Sequence, residues 1–170
     1  TLYKAYDKLI KLAEDEEHYL QDVASEALGR LAQSGDFEYS RHIFELLKSR
    51  LLDPNLEPYN PAIEHWLNGL RWLNTLAAWE QIRLYIHRNL RENEFFIPEH
   101  AITLLPFNDS DANKALLLEL LQRDDIASDI VDFAYPAAQK LWGNQVDTIY
   151  PYDWATLQNN NAYFLEDTDY

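Results

Sequence analysis

Apolar residues recur in this chain at i, i+4, i+5 and i+8, the spacing that places side chains on one face of an α-helix, and the pattern occurs four times. The four segments are "DVASEALGRLAQSGD" from Asp22, "PAIEHWLNGLRWLN" from Pro61, "FIPEHAITLLPFND" from Phe96 and "DFAYPAAQKLWGN" from Asp132. In register, the first apolar site is Val23, Ala62, Ile97 and Phe133, and the second is Ala27, Trp66, Ala101 and Ala137. The third is Leu28, Leu67, Ile102 and Ala138, and the fourth is leucine each time: Leu31, Leu70, Leu105 and Leu141. Partner stripes fill the intervals, in "YKAYDKLIKLA", "YSRHIFELLKSRLL", "TLAAWEQIRLYIHRNL" and "ANKALLLELLQ". Breakers such as "SGD", "DPNLEPYNP" and "PFNDSD" separate the two sets. The unit is a helical hairpin, which cannot cover its own stripe and must stack on its neighbours.

An all-α fold follows, with four hairpins over about residues 3–36, 37–74, 75–109 and 110–143. They make a domain spanning 1–143, followed by an irregular, aromatic and acidic tail over 144–170. The Asp-Val, the spaced alanines and the Leu-Gly of "DVASEALGRLAQSGD", echoed by "FAYPAAQKLWG", resemble HEAT-like α-solenoid repeats. That resemblance implies a right-handed α-α superhelix whose second helices line a concave face. Units two and three depart from the pattern, since Trp66 fills a small-residue slot and Asn68 and Thr103 stand where unit one has Gly29. Armadillo packing is the nearest alternative, and no tetratricopeptide signature is present. The short "DVASEALGRLA" unit also resembles the HEAT-like units of phycobilisome lyases, which implies an accessory role in chromophore delivery without identifying any chromophore-holding residue.

Composition narrows the function. With 29 acidic against 14 basic residues the formal net charge is -15, which opposes nucleic acid and anionic membranes as partners. A basic protein surface, a cationic ligand or no partner at all stays open. Solenoid-type DNA glycosylases share the architecture but need a basic groove. The longest apolar runs fall well short of the roughly 20 residues that span a bilayer, so a soluble protein is expected. The absence of cysteine excludes disulfides, thiolate metal sites and thiol nucleophiles and fits a reducing, cytoplasmic setting. The chain also lacks methionine and opens directly on a helix-like "LYKAYDKLIKLA", so it is expected to be the carboxyl-terminal part of a longer protein, such as a sensor or regulatory module.

No HExxH, phosphate-cradling glycine loop or Gly-x-Ser-x-Gly elbow occurs, and the histidines fall on separate helices. No enzyme, cofactor or metal is therefore expected. Glu14 and His18 share a face at i and i+4, but a carboxylate-rich helix end explains them more simply.

Candidate binding residues come from helix geometry. At 100° per residue, the positions farthest from the apolar stripe read Asp22, Glu26, Gly29 and Gln33 in unit one and Pro61, His65, Asn68 and Trp72 in unit two. Unit three gives Phe96, His100, Thr103 and Phe107, and unit four gives Asp132, Pro136, Gln139 and Gly143. Glu26, His65 and His100 are expected to form one row across adjacent helices, and Gln33, Trp72 and Phe107 another. Aromatic rings beside polar groups on an outward face suit a protein or peptide partner, bound without chemistry. Importin-type armadillo grooves hold basic peptides with Trp and Asn spaced along one face. Here Trp66 and Trp72 are followed four positions on by Leu70 and Leu76, and Asn68 precedes Trp72, so the chemistry must differ.

From Gln145 the helical pattern stops. The segment "VDTIYPYDWATLQNNNAYFLEDTDY" has many rings and carboxylates and no Lys or Arg, so it is expected to cap the last hairpin through Trp154 and Phe164 or to dock on a partner. Trp66 and Trp79 are expected in the core, and Trp72 outside it.

Overall fold

The structure, a computed structural model, describes residues 2–15, 20–33, 37–92, 97–122 and 129–149. All regular structure among these residues is helical: α1 (Leu2–Glu14), α2 (Gln21–Ala32), α3 (Phe37–Leu51), α4 (Ala62–Leu73), α5 (Leu76–Glu92), α6 (Glu99–Leu104), α7 (Asp111–Leu121), α8 (Asp129–Trp142) and α9 (Val146–Ile149). Single 3-10 turns follow α6, over Leu105–Phe107, and α8, over Gly143–Gln145. No described helix is long and apolar enough to cross a membrane.

Consecutive helices pack as pairs, α1 with α2, α3 with α4, α5 with α6 and α7 with α8. The second members also meet one another in order, α2 on α4, α4 on α6 and α6 on α8. Contacts between first members run in parallel: the Tyr6 and Tyr39 rings lie 4.6 Å apart between α1 and α3, α3 meets α5, and Arg83 of α5 donates to Asn113 of α7 at 2.8 Å. One apolar cluster passes through every pair, from Tyr6 to Val146, with Leu28, Leu67, Leu70, Ile82, Ile102 and Leu117 fully enclosed.

The frame read from the sequence holds well on α4, where Ala62, Trp66, Leu67 and Leu70 are all buried. On α2 it is turned. The buried residues there are Ala24, Ser25, Leu28, Gly29 and Ala32, while Val23 is 51% exposed. The cause is a close crossing of α2 and α4 at two glycines. A Cβ on Gly29 would lie 2.2 Å from the Gly69 carbonyl oxygen, and one on Gly69 would lie 3.2 Å from the Ser25 oxygen. Gly29, placed on the outward face by the sequence, is therefore the contact itself. Ser25 keeps its hydroxyl satisfied within this tight seam by donating to the Gln21 carbonyl, 2.9 Å away. With α4 on that side, Val23 falls on the opposite flank.

Local signals explain the element ends. Asn74 ends α4 in the left-handed region at φ 51°, which asparagine tolerates better than most residues, and its Oδ1 accepts the Trp79 indole N–H at 2.8 Å. Trp79 is thereby buried with its polar atom paired, beside Ile82 and Ile86. Pro98 and Pro106 bracket α6, and the missing N–H of Pro106 fits the change to a 3-10 turn there. Ser110 caps α7 by accepting the Asn113 backbone N–H. The Asn113 side chain is fully enclosed, donating to the carbonyls of Leu105 at 3.0 Å and Asn108 at 3.2 Å while accepting from Arg83.

The helical pattern does not stop at Gln145. α9 continues it for one turn, with Val146 buried against the core and Asp147 accepting a hydrogen bond from the Tyr135 hydroxyl. Trp154 and Phe164 lie outside the described residues, as do His18 and Phe96.

Candidate functional site

The outward sides of α2, α4, α6 and α8 hold most of the residues singled out by helix geometry. Glu26 of α2 and His65 of α4 come together, with His65 Nδ1 2.9 Å from Glu26 Oε2. Arg30, one turn after Glu26, donates to its Oε1 at 2.7 Å. One step farther along the row, His100 Nε2 of α6 lies 3.3 Å from Asn68 Oδ1. The row expected from Glu26, His65 and His100 is thus a polar seam over three helices, with Asn68 included.

Electrostatics distinguish its members. Burial tends to raise the Glu26 carboxyl, but hydrogen bonds from His65 and Arg30, and then their charges, outweigh it and hold Glu26 below the usual carboxylate range. Burial lowers His100, as do the charges of His65 and Arg71, against an upward pull from Glu64 and Glu26. The net lowering makes His100 a neutral hydrogen-bonding group at pH 7. The unfolded chain therefore takes up a proton at this position first. Stability should fall as pH drops from above the ordinary histidine value of about 6.5 toward the lower folded value. Urea unfolding of the wild type and His100→Gln at pH 7.5 and 5.5 checks the sign: the variant should lose less stability between the two, and an equal or larger loss would refute the assignment. That window lies above the range in which Glu26 titrates.

The second expected row is rearranged. Trp72 of α4 is half-buried and Phe107, in the turn after α6, is 53% exposed, and the two are joined through a third residue. The Arg71 guanidinium carbon lies 3.6 Å from the Phe107 ring centroid and 4.6 Å from that of Trp72. Arg30 covers Trp72 at 4.8 Å and Lys140 of α8 approaches Phe107 at 6.0 Å. Gln33 is exposed at the end of α2, and the reach from α2 to Trp72 is made by Arg30 instead. Asp132, Pro136, Gln139 and Gly143 are exposed along α8 and its end, as the outward frame requires.

Arg30, Arg71 and Lys140 were not marked by the helix frame. Each has a long stem that carries its charge well away from its Cα, so position on a helical wheel says little about where the head rests. The one available signal was adjacency, since Arg71 directly precedes Trp72 and Arg30 directly follows Gly29.

At the amino-terminal ends of α4 and α6 the seam opens into a groove of about 390 Å³, bordered by Tyr59, Glu64, Glu99, His100 and Phe133. Tyr85 at its base is a phenol pushed up to about 12, mainly by burial. Among the described residues no cluster of three His, Asp or Glu side chains has the arrangement to hold a metal ion. Glu14, weighed with His18 in the sequence, pairs with His42 at 3.2 Å.

No family model, no curated protein and no solved structure matches the chain.

Proposed function

We propose that the chain is a non-enzymatic adaptor, a HEAT-like α-solenoid that holds a segment of another protein along the face made by α2, α4, α6 and α8. The observation that carries this reading is the connected run of partly covered to exposed polar and aromatic side chains over the second helices of the four pairs. It passes from Glu26 and Arg30 through His65, Asn68, Arg71 and Trp72 to His100, Phe107 and Lys140. An extended peptide suits such a surface, because each successive helix, about 8 to 10 Å farther on, offers a new contact. A ring as exposed as Phe107, stacked with a guanidinium, is the type of anchor that dominates protein interfaces.

Photo-crosslinking from position 107 in native extract tests this reading. Leu84, which is 50% exposed on α5, serves as the control site.

A further inference from the structure

Arg71 is the most unusual charge on this face. Its guanidinium lies over both the Phe107 and the Trp72 ring, and no carboxylate of a described residue lies within ion-pair distance of it. A guanidinium that stacks on rings through its face keeps its in-plane N–H donors available, in the fork that matches a carboxylate. Lys140, the next cation, also has no carboxylate partner among the described residues. Arg30 has one, Glu26, which is shared with His65. Burial and the nearby charge of Arg30 both work against the Arg71 cation, and Glu26 offsets them only in part. In a chain with about twice as many acidic as basic residues, three cations, Arg30, Arg71 and Lys140, gather around the Trp72 and Phe107 rings.

We propose that the segment held on this face is acidic, and that Arg71, aligned by Trp72 and Phe107, takes one of its carboxylates while Lys140 and Arg30 favour others nearby. This rests on the adaptor reading above and names the chemistry of its partner. It departs from the basic partner that net charge alone favours. At physiological salt, charges beyond about 8 Å are largely screened, so the local cluster outweighs the negative total for a ligand lying directly on it.

Three fluorescein-labelled peptides of one length test the proposal, each with a central tyrosine flanked by glutamates, by glutamines or by lysines. Fluorescence anisotropy with the full chain should show the glutamate peptide binding at least about tenfold more tightly than the glutamine one, with the advantage shrinking as salt is raised. Arg71→Ala should weaken the glutamate peptide by about tenfold or more. Arg71→Lys should recover only part of the loss, since a point charge lacks the fork. Lys140→Ala, at an exposed position, should give a smaller loss with unchanged thermal unfolding. Equal or tighter binding of the glutamine or lysine peptide at this face, abolished by Phe107→Ala, would overturn the acidic preference and leave the adaptor reading standing. Unchanged glutamate-peptide affinity in a folded Arg71→Ala chain would do the same. No binding by any of the three would count against both.

Discussion

Gly29→Ala should destabilise the protein by about 3 kcal/mol, the upper part of the range for overpacking a tight interior. At an exposed helical site the same change would stabilise by up to about 1 kcal/mol through helix propensity, so the sign itself is diagnostic. The added methyl would lie 2.2 Å from the Gly69 carbonyl oxygen and 2.6 Å from its Cα, and neither backbone atom can move without separating α2 from α4. For a domain of this size the melting temperature should fall by about 9 °C. Gly69→Ala is a graded control. Its closest clash is with the Leu47 Cδ1 atom at 2.9 Å, the end of a side chain that can rotate away, so its loss should be smaller. A Gly29→Ala chain as stable as the wild type would mean that the two helices do not cross here.

Trp66→Ala is expected to cost about 3 to 5 kcal/mol, measured by urea unfolding. Trp66 is 5% exposed, and α4 presents it on the same buried side as Ile63, Leu67 and Leu70. Alanine is the residue that all three other hairpins carry in the equivalent slot, at Ala27, Ala101 and Ala137, and the last two are fully buried there. Neighbours packed around an indole cannot collapse to fill the gap, so a large cavity term adds to the lost transfer energy. A loss below about 2 kcal/mol would show that the site relaxes around the smaller residue or that the indole is not enclosed.

These two positions also show how far the sequence could be read. Periodicity located the helices well: the apolar stripes of α1, α3, α5 and α7 lie where the partner segments predicted, and the α4 core stands as expected. Trp66 was legible as core because its slot is apolar in every unit, and Trp79 because it shares a stripe with Ile82 and Ile86. The rotation of α2 was not legible. Hydropathy rewards Val23 and Leu31 and is nearly silent on Ser25 and Gly29, yet a close helix crossing selects small residues whatever their polarity. Asn113 was hidden for a related reason. It lies just past a turn-rich breaker, and only the fold shows that two carbonyls and Arg83 converge on it.

The proposed binding face was legible in part. Glu26, His65, Asn68 and His100 follow from the outward frame on successive helices, because short or stiff side chains stay close to the positions their Cα atoms give them. Phe107 and Trp72 were also marked, but the arginine that joins them was not, nor were the flanking Arg30 and Lys140. Long cations obey contacts rather than wheel position. Of these two rings Phe107 is the more open, whereas Trp72 is half-enclosed beneath two guanidinium groups.

Site-specific photo-crosslinking tests the proposed binding face most directly. A benzophenone amino acid placed at Phe107, and separately at Leu84, is irradiated in native extract, with the same experiment repeated on an Arg71→Ala background. A discrete adduct is expected from position 107, missing from position 84 and strongly reduced by Arg71→Ala at unchanged thermal stability. Identical adducts from both positions, or a discrete adduct from position 84 alone, would contradict it.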